Sequence, residues 1–142
     1  MDSKTLGNDF APSLDFANMD GLHQAEIGIY NDLVRLLDKY IAGEVKAWSV
    51  TDQFEHWMEH TREHFTHENN LMERSEFPNR LVHIGEHELA LQMMSQVLDL
   101  WIRKQDAERM KYYLFSLWPD WFRRHVDHMD RVLARHVRKR QG

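Results

Sequence analysis

Apolar residues recur at intervals of three and four along most of this chain, the spacing that gathers side chains on one face of an α-helix. His23, Ile27, Tyr30, Val34, Leu37 and Ile41 form a first stripe. It predicts a helix that begins at Asn18 or Asp20, either of which can cap it, and ends near Ile41 before Gly43. A second stripe runs through Phe54, Trp57, Met58, Thr61, His64, Phe65, Glu68, Leu71 and Met72, which predicts a helix from Thr51 or Asp52 to about Arg74. Ser75 to Asn79, with Pro78, reads as a turn that folds the next helix back antiparallel. That third helix is expected from about Asn79 to Lys104, with His83, His87, Ala90, Leu91, Met94, Val97, Leu98 and Trp101 facing inward. After Gln105–Asp106 a fourth segment carries Met110, Leu114, Leu117, Trp121, His125, Val126, Asp130 and Leu133. Pro119 has no amide hydrogen and disfavours a helical Trp118, so this segment is expected to kink or restart there.

Four such segments joined near residues 43–50, 75–79 and 104–107 predict an all-α fold, an up-down-up-down antiparallel four-helix bundle. Residues 1–18 form an N-terminal arm whose Phe10, Leu14 and Phe16 can pack on it, residues 19–139 the bundle, and residues 1–142 a single domain. A chain of 142 residues is long enough for one hydrophobic core.

Composition narrows the chemistry. Ten histidines and no cysteine leave imidazole and carboxylate as the strong ligands, excluding thiolate zinc sites and cysteine-held clusters. A net charge of −5 without a basic face argues against a nucleic-acid partner. The basic run from Arg135 to Arg140 suits a helix C-terminus, where cations complement the dipole. Neither a leader pattern nor a membrane-length apolar run is visible, so a cytoplasmic location without membrane association is expected.

The apolar faces carry polar residues that an ordinary core would not contain. His64 with Glu68 and His83 with His87 are pairs four residues apart, each presenting two groups to one site. The turn between their helices sets both pairs at one level of the bundle. His23 heads the first stripe, where alone it would read as a core imidazole satisfied by one hydrogen bond. His125 and Asp130, five apart, lie ~140° from each other on an α-helical wheel and are expected to flank a target rather than stack. Glu26 falls within the inward arc of the first helix: either it is buried and paired, or the first turn frays and leaves it near solvent. His56, His60 and His67 sit at the edge of their face and read as surface residues. Glu86, Glu88, His128 and His136 are likewise expected to face solvent.

Five imidazoles and two carboxylates exceed what one tetrahedral ion can use, and they suit two octahedral first-row ions bridged by carboxylates. The ordered pattern H, H-x-x-x-E, H-x-x-x-H, H-x-x-x-x-D resembles that of the hemerythrin-like proteins, specifically the bacterial single-domain hemerythrins, or bacteriohemerythrins. Flanking residues are similar too: Asp20-Gly21-Leu22-His23, His64-Phe65 through to Phe77-Pro78, His83 to Glu86-His87, and Trp121 through His125-Val126. The likeness spans about residues 10–135.

That resemblance implies two iron ions with an oxo or hydroxo bridge. One iron would be held by His83, His87 and His125, the other by His23 and His64, with Glu68 and Asp130 bridging. It implies reversible O2 binding, as hydroperoxide at the iron with the open position, for storage, delivery or sensing; a sensor would need a separate protein partner. Glu26 departs from the pattern, because the family usually carries leucine or isoleucine there. As an additional ligand or a close neighbour of the metals, leaning back toward His23, it motivates the alternative of a di-iron oxidase or peroxidase. Handling of iron or nitric oxide is a third reading, since an open ferrous site also binds NO, and a metal-free structural bundle is the fourth.

Overall fold

The computed structural model describes residues 4–141; residues 1–3 of the expected arm lie outside them. Three long helices, α1 (Ala17–Ile41), α2 (Ala47–Arg74) and α3 (Arg80–Lys104), precede a fourth helical rod, α4, over residues 107–141. Successive helices run antiparallel, and no strand occurs among the described residues, so the fold is an all-α four-helix bundle. No helix in the described residues is long and apolar enough to cross a membrane.

The turns explain why the helices reverse so tightly. Gly43 adopts a left-handed φ of 78° after α1. Its amide bonds back to Tyr40 and that of Glu44 to Lys39, so two carbonyls of the last turn are satisfied. The same device ends α2, where Glu76 takes φ 56° and the amide of Phe77 reaches Met72. Phe77 is thereby drawn into the core.

α2 begins at Ala47, earlier than the expected Thr51. Thr51 does not cap the helix: its hydroxyl bonds back to the carbonyl of Ala47 and accepts the indole N–H of Trp101. The first turn is kept helical because Val50 is fully buried. α1 begins at Ala17 with no side-chain cap. Asp20, expected as a cap, instead accepts the amides of Leu14 and Phe16 and so fastens the arm. Arg138 donates to the carbonyl of Leu14 from the far end of the chain, and Phe10 stacks on Phe122. Ile41, assigned to the inward stripe, is 47% exposed because it overhangs the end of the bundle. On α3, Ala90, Leu91, Val97 and Leu98 are only partly buried, so the inward stripe of that helix is shallower than its pattern implied.

As expected, the regular α-helix of the fourth rod is interrupted at Pro119: an α-helical segment restarts at Trp118, with Pro119 in its first turn. The rod holds α-helical segments Ala107–Tyr112, Trp118–Arg124 and Arg131–Gln141, separated by π-helical turns at Tyr113–Leu117 and His125–Asp130. In the first π turn the amide of Trp118 bonds Tyr113 rather than Leu114. The carbonyl of Leu114 would then need the amide of Pro119, which has no hydrogen. The buried hydroxyl of Tyr30 donates to that carbonyl instead. The break expected from proline thus takes the form of one wide turn, with the freed carbonyl met by one side chain from α1. Tyr30 also stacks on Trp118, which meets Trp57 edge to face, making an aromatic layer beneath the polar end of the bundle.

Candidate metal centre

At the end of the bundle where the α2–α3 turn lies, each helix contributes to one buried polar cluster. α1 supplies His23, the second half of α2 supplies His64 and Glu68, the first two turns of α3 supply His83 and His87, and α4 supplies His125 and Asp130. None of the seven is more than 3% exposed. The expectation that His125 and Asp130 flank the site fails. The π turn between them widens the helix by one residue, so positions five apart share a face, and Nε2 of His125 stands 3.1 Å from Oδ1 of Asp130.

All five imidazoles turn Nε2 inward, and the two carboxylates divide their oxygens between two groups. Oε2 of Glu68 lies 2.8 Å from Nε2 of His64 and 3.7 Å from that of His23. Its Oε1 lies 3.1 Å from Nε2 of His87 and 3.5 Å from that of His83. Oδ2 of Asp130 is 2.8 Å from Nε2 of His23, while Oδ1 is 3.0 Å from that of His83. Two sets of donor atoms result: Glu68, His83, His87, His125 and Asp130, then His23, His64, Glu68 and Asp130. Within each set all donor atoms lie within 4.8 Å of one another. Glu68 and Asp130 belong to both.

Outside the cluster, hydrogen bonds hold the imidazoles in place. Nδ1 of His87 meets Oδ1 of Asn69 at 2.8 Å, and Nδ1 of His125 meets Oε1 of Glu86 at 3.0 Å. An Nδ1–H donated outward leaves a lone pair on Nε2 for a ligand role. Phe65 stacks on His87 at 3.9 Å between ring centres and Trp121 on His125 at 4.6 Å. These rings fix the imidazole planes and cover the site with apolar surface.

Several polar residues behave differently from their sequence reading. Glu86 was expected to be exposed; it is partly covered because the shared level of α3 and α4 brings His125 to it. His60 was assigned to the surface but is only 18% exposed, with Nδ1 2.7 Å from Oε1 of Glu26. His136 also turns inward, its Nε2 bonding the carbonyl of Ser75 in the α2–α3 turn. His56 and His128 are exposed as expected, whereas His67 is half-buried. Glu26 is buried, but it does not lean back toward His23. It turns to α2, where the Thr61 hydroxyl donates to Oε2 at 2.6 Å and His60 binds Oε1. Its remaining neighbour is Nδ1 of His64, at 3.5 Å, on the side of that ring facing away from the cluster. Compensation from α2 is nearer than any from the cluster, which is why it wins. The H-x-x-E-H spacing was the one available sequence signal for Glu86; nothing local marked Asn69 or Thr61.

The electrostatics ask for positive charge. Burial opposes ionisation of Glu68, yet His64, His23 and His83 hold its carboxyl well below the ordinary range. Burial and Glu68 likewise oppose Asp130, and His125 and His23 hold it low. Burial disfavours charge on His125, but Asp130, Glu86 and Glu68 outweigh it and lift this imidazole to about 10. Against burial, His64 is raised too by Glu68 and Glu26, and His23 and His83 by Asp130 and Glu68. His87 goes the other way, pushed down to about 4 chiefly by burial, so its Nε2 lone pair is free at neutral pH.

The donor set fits metal cations on a further count. Nε2 of His125 lies 3.2 Å from the Nε2 atoms of both His83 and His87, so three ring nitrogens converge on one point. Oε1 of Glu68 and Oδ1 of Asp130 are buried and accept no hydrogen bond. Such groups cost free energy unless protonated, hydrogen-bonded or bound to a cation. Nitrogen and carboxylate donors without thiolate suit first-row divalent ions.

Comparison with known proteins agrees with this arrangement. A family model described as the hemerythrin HHE cation binding domain matches residues 14–137. A bacteriohemerythrin of Aquifex aeolicus (strain VF5) is 28% identical over 119 residues, covering 84% of this chain and 87% of that protein. A bacteriohemerythrin of Ralstonia nicotianae (strain ATCC BAA-1114 / GMI1000) is 33% identical over 96 residues, covering 66% of this chain and 64% of that protein. No solved structure matches the chain. With its four helices, its buried imidazole–carboxylate cluster and a family match over most of its length, the chain belongs to the hemerythrin family.

Proposed function

We propose that this protein binds O2 reversibly at a pair of iron ions, for storage, delivery or sensing. The observation that carries the reading is the division of the carboxylate oxygens, with Glu68 and Asp130 each shared between a three-imidazole set and a two-imidazole set. His83, His87 and His125 would hold one iron and His23 and His64 the other, with both carboxylates bridging. When bound, the iron pair supplies the reversible electron transfer through which O2 is taken up and released.

The remaining work falls to the chain itself. Asn69 and Glu86 hold the Nδ1 sides of His87 and His125, which directs Nε2 of each inward. Phe65 and Trp121 lie flat against two of the imidazoles and keep bulk water from the site. The His23–His64 set has one imidazole fewer, which supports open access to the ion held there. The oxidase reading took Glu26 as a further ligand or a close neighbour of the metals, and its carboxylate is engaged by Thr61 and His60 on the outer side of His64, apart from the donor set. That favours the carrier.

The test is to load the protein with iron, reduce it without air, and follow the visible spectrum as O2 is admitted and removed under vacuum. Two irons per chain and a band that appears and vanishes over repeated cycles are expected. Steady O2 consumption with reductant present would favour the oxidase. Failure to take up iron would overturn the metal reading.

A further inference from the structure

We propose that Glu26 is a positioning residue for the two-imidazole half of the centre, its carboxylate taking the Nδ1–H of His64 and adding negative charge to that half alone. The inference rests on the di-metal reading above. If Nε2 of His64 is to bind a cation, the proton of the neutral ring must sit on Nδ1. That nitrogen is buried and forms no hydrogen bond. Oε1 of Glu26 stands 3.5 Å from it.

The carboxylate is held for this role from two sides. Thr61 occupies Oε2 and His60 approaches Oε1, so the side chain has little freedom to swing away. Thr61 and His60 lie within one turn of His64 on the same helix, and Glu26 arrives from α1, so the contact also ties two helices together. Both oxygens of the buried carboxylate therefore have a polar partner on α2, which offsets the cost of keeping it there.

The two halves of the centre are therefore built differently. His125, on the three-imidazole side, is backed by Glu86, whose side chain is 40% exposed and screened by solvent. His64 is backed by a carboxylate only 2% exposed. A charge in that setting acts through a lower effective dielectric, so its influence on the ring is stronger. A carboxylate accepting from the outer nitrogen raises the basicity of the inner one. Glu26 thus makes the His23–His64 side more electron-donating than its two imidazoles alone would be and would stabilise the more oxidised state of an ion held there. Nδ1 of His23, the other imidazole of that half, likewise forms no hydrogen bond, and Glu26 pairs with His64 and not with His23, so it acts on that half through His64.

The experiment compares wild type with Glu26→Gln and Glu26→Leu. Zinc-loaded protein is diamagnetic, and long-range proton–nitrogen spectra then report each imidazole N–H. A strongly deshielded Nδ1–H of His64 is expected in wild type, moving upfield in both variants while the Nδ1–H signals of His87 and His125 stay in place. In the iron-loaded proteins, the midpoint potential should become more positive in both variants. Glutamine keeps the size and an acceptor for Thr61, so this variant carries the test if leucine prevents folding. An unmoved His64 signal, or one potential shared by wild type and Glu26→Gln, would overturn the proposal while leaving the di-metal reading intact. Failure of wild type to take up zinc and iron would remove both.

Discussion

His125 and Asp130, five residues apart on α4, bring Nε2 and Oδ1 to 3.1 Å because the backbone between them forms a π turn. In regular α-helix the same spacing would part them by ~140°. A π turn is an α-helix with one residue inserted, so residues on either side keep their faces. Deleting exposed His128 should therefore relax the turn to α while His125 and Asp130 remain together. The expected outcome is a folded protein with unchanged metal content by elemental analysis. A folded deletion variant that has lost its metal would show that the π geometry itself is required.

Tyr30 and Pro119 should be energetically coupled through the carbonyl of Leu114. Replacing Tyr30 by Phe leaves that buried carbonyl without a donor, which costs about 1–3 kcal/mol. Pro119→Ala restores an amide that can reach it in the π register, so the Tyr30→Phe penalty should shrink in that background. A double-mutant cycle by urea unfolding measures the difference. Strictly additive effects would contradict the shared-carbonyl account.

Glu86 should matter to metal affinity although it is partly exposed and outside the donor set. It accepts from Nδ1 of His125 at 3.0 Å, and burial of that ring leaves few other acceptors. Loss of such an outer partner weakens metal binding about 10–100-fold. Glu86→Ala, titrated with zinc against a chromogenic chelator, should fall in that range, whereas Glu88→Ala should match wild type. Equal affinity in Glu86→Ala would remove Glu86 from the site.

Glu26 should make the metal-free protein sensitive to acid. Its folded pKa of about 2 lies below the ordinary 4.5, so its charged form is favoured in the folded state. The sign follows: this stabilisation is complete above about 4.5 and is lost as the pH falls toward about 2. It amounts to about 3 kcal/mol at neutral pH. Glu26→Gln should thus be less stable than wild type at pH 7, with the gap closing between pH 4.5 and 2. A gap that stays constant across that window would mean that packing, not charge, is what the substitution disturbs.

Much of this molecule was legible before any tertiary structure, and for a local reason. The α-helix has a fixed period, so His64 with Glu68 and His83 with His87 declare a shared face from spacing alone. The same period placed Glu26 inward and four helices end to end with short turns between them. It misled at His125 and Asp130, because the period changes inside a π turn and a wheel drawn at ~100° per residue carries no sign of that.

What only the tertiary structure decided was the choice of partner. Glu26 could compensate its charge toward His23 on its own helix or toward Thr61 and His60 on another. The distances between helices chose the second, and no periodicity encodes them. His60 and Glu86 read as surface residues because a wheel measures angle and not the height at which a neighbouring helix crosses. His136 turned inward because the α2–α3 turn, far away in sequence, presents the carbonyl of Ser75 to it. Proline at position 119 predicts a missing amide from sequence, but that Tyr30 would answer for it depended on α1 lying against α4 at that level. Faces are set by covalent geometry and hydrogen bonding within one helix. Which groups meet is set by how four apolar faces pack, and that is a property of the whole chain.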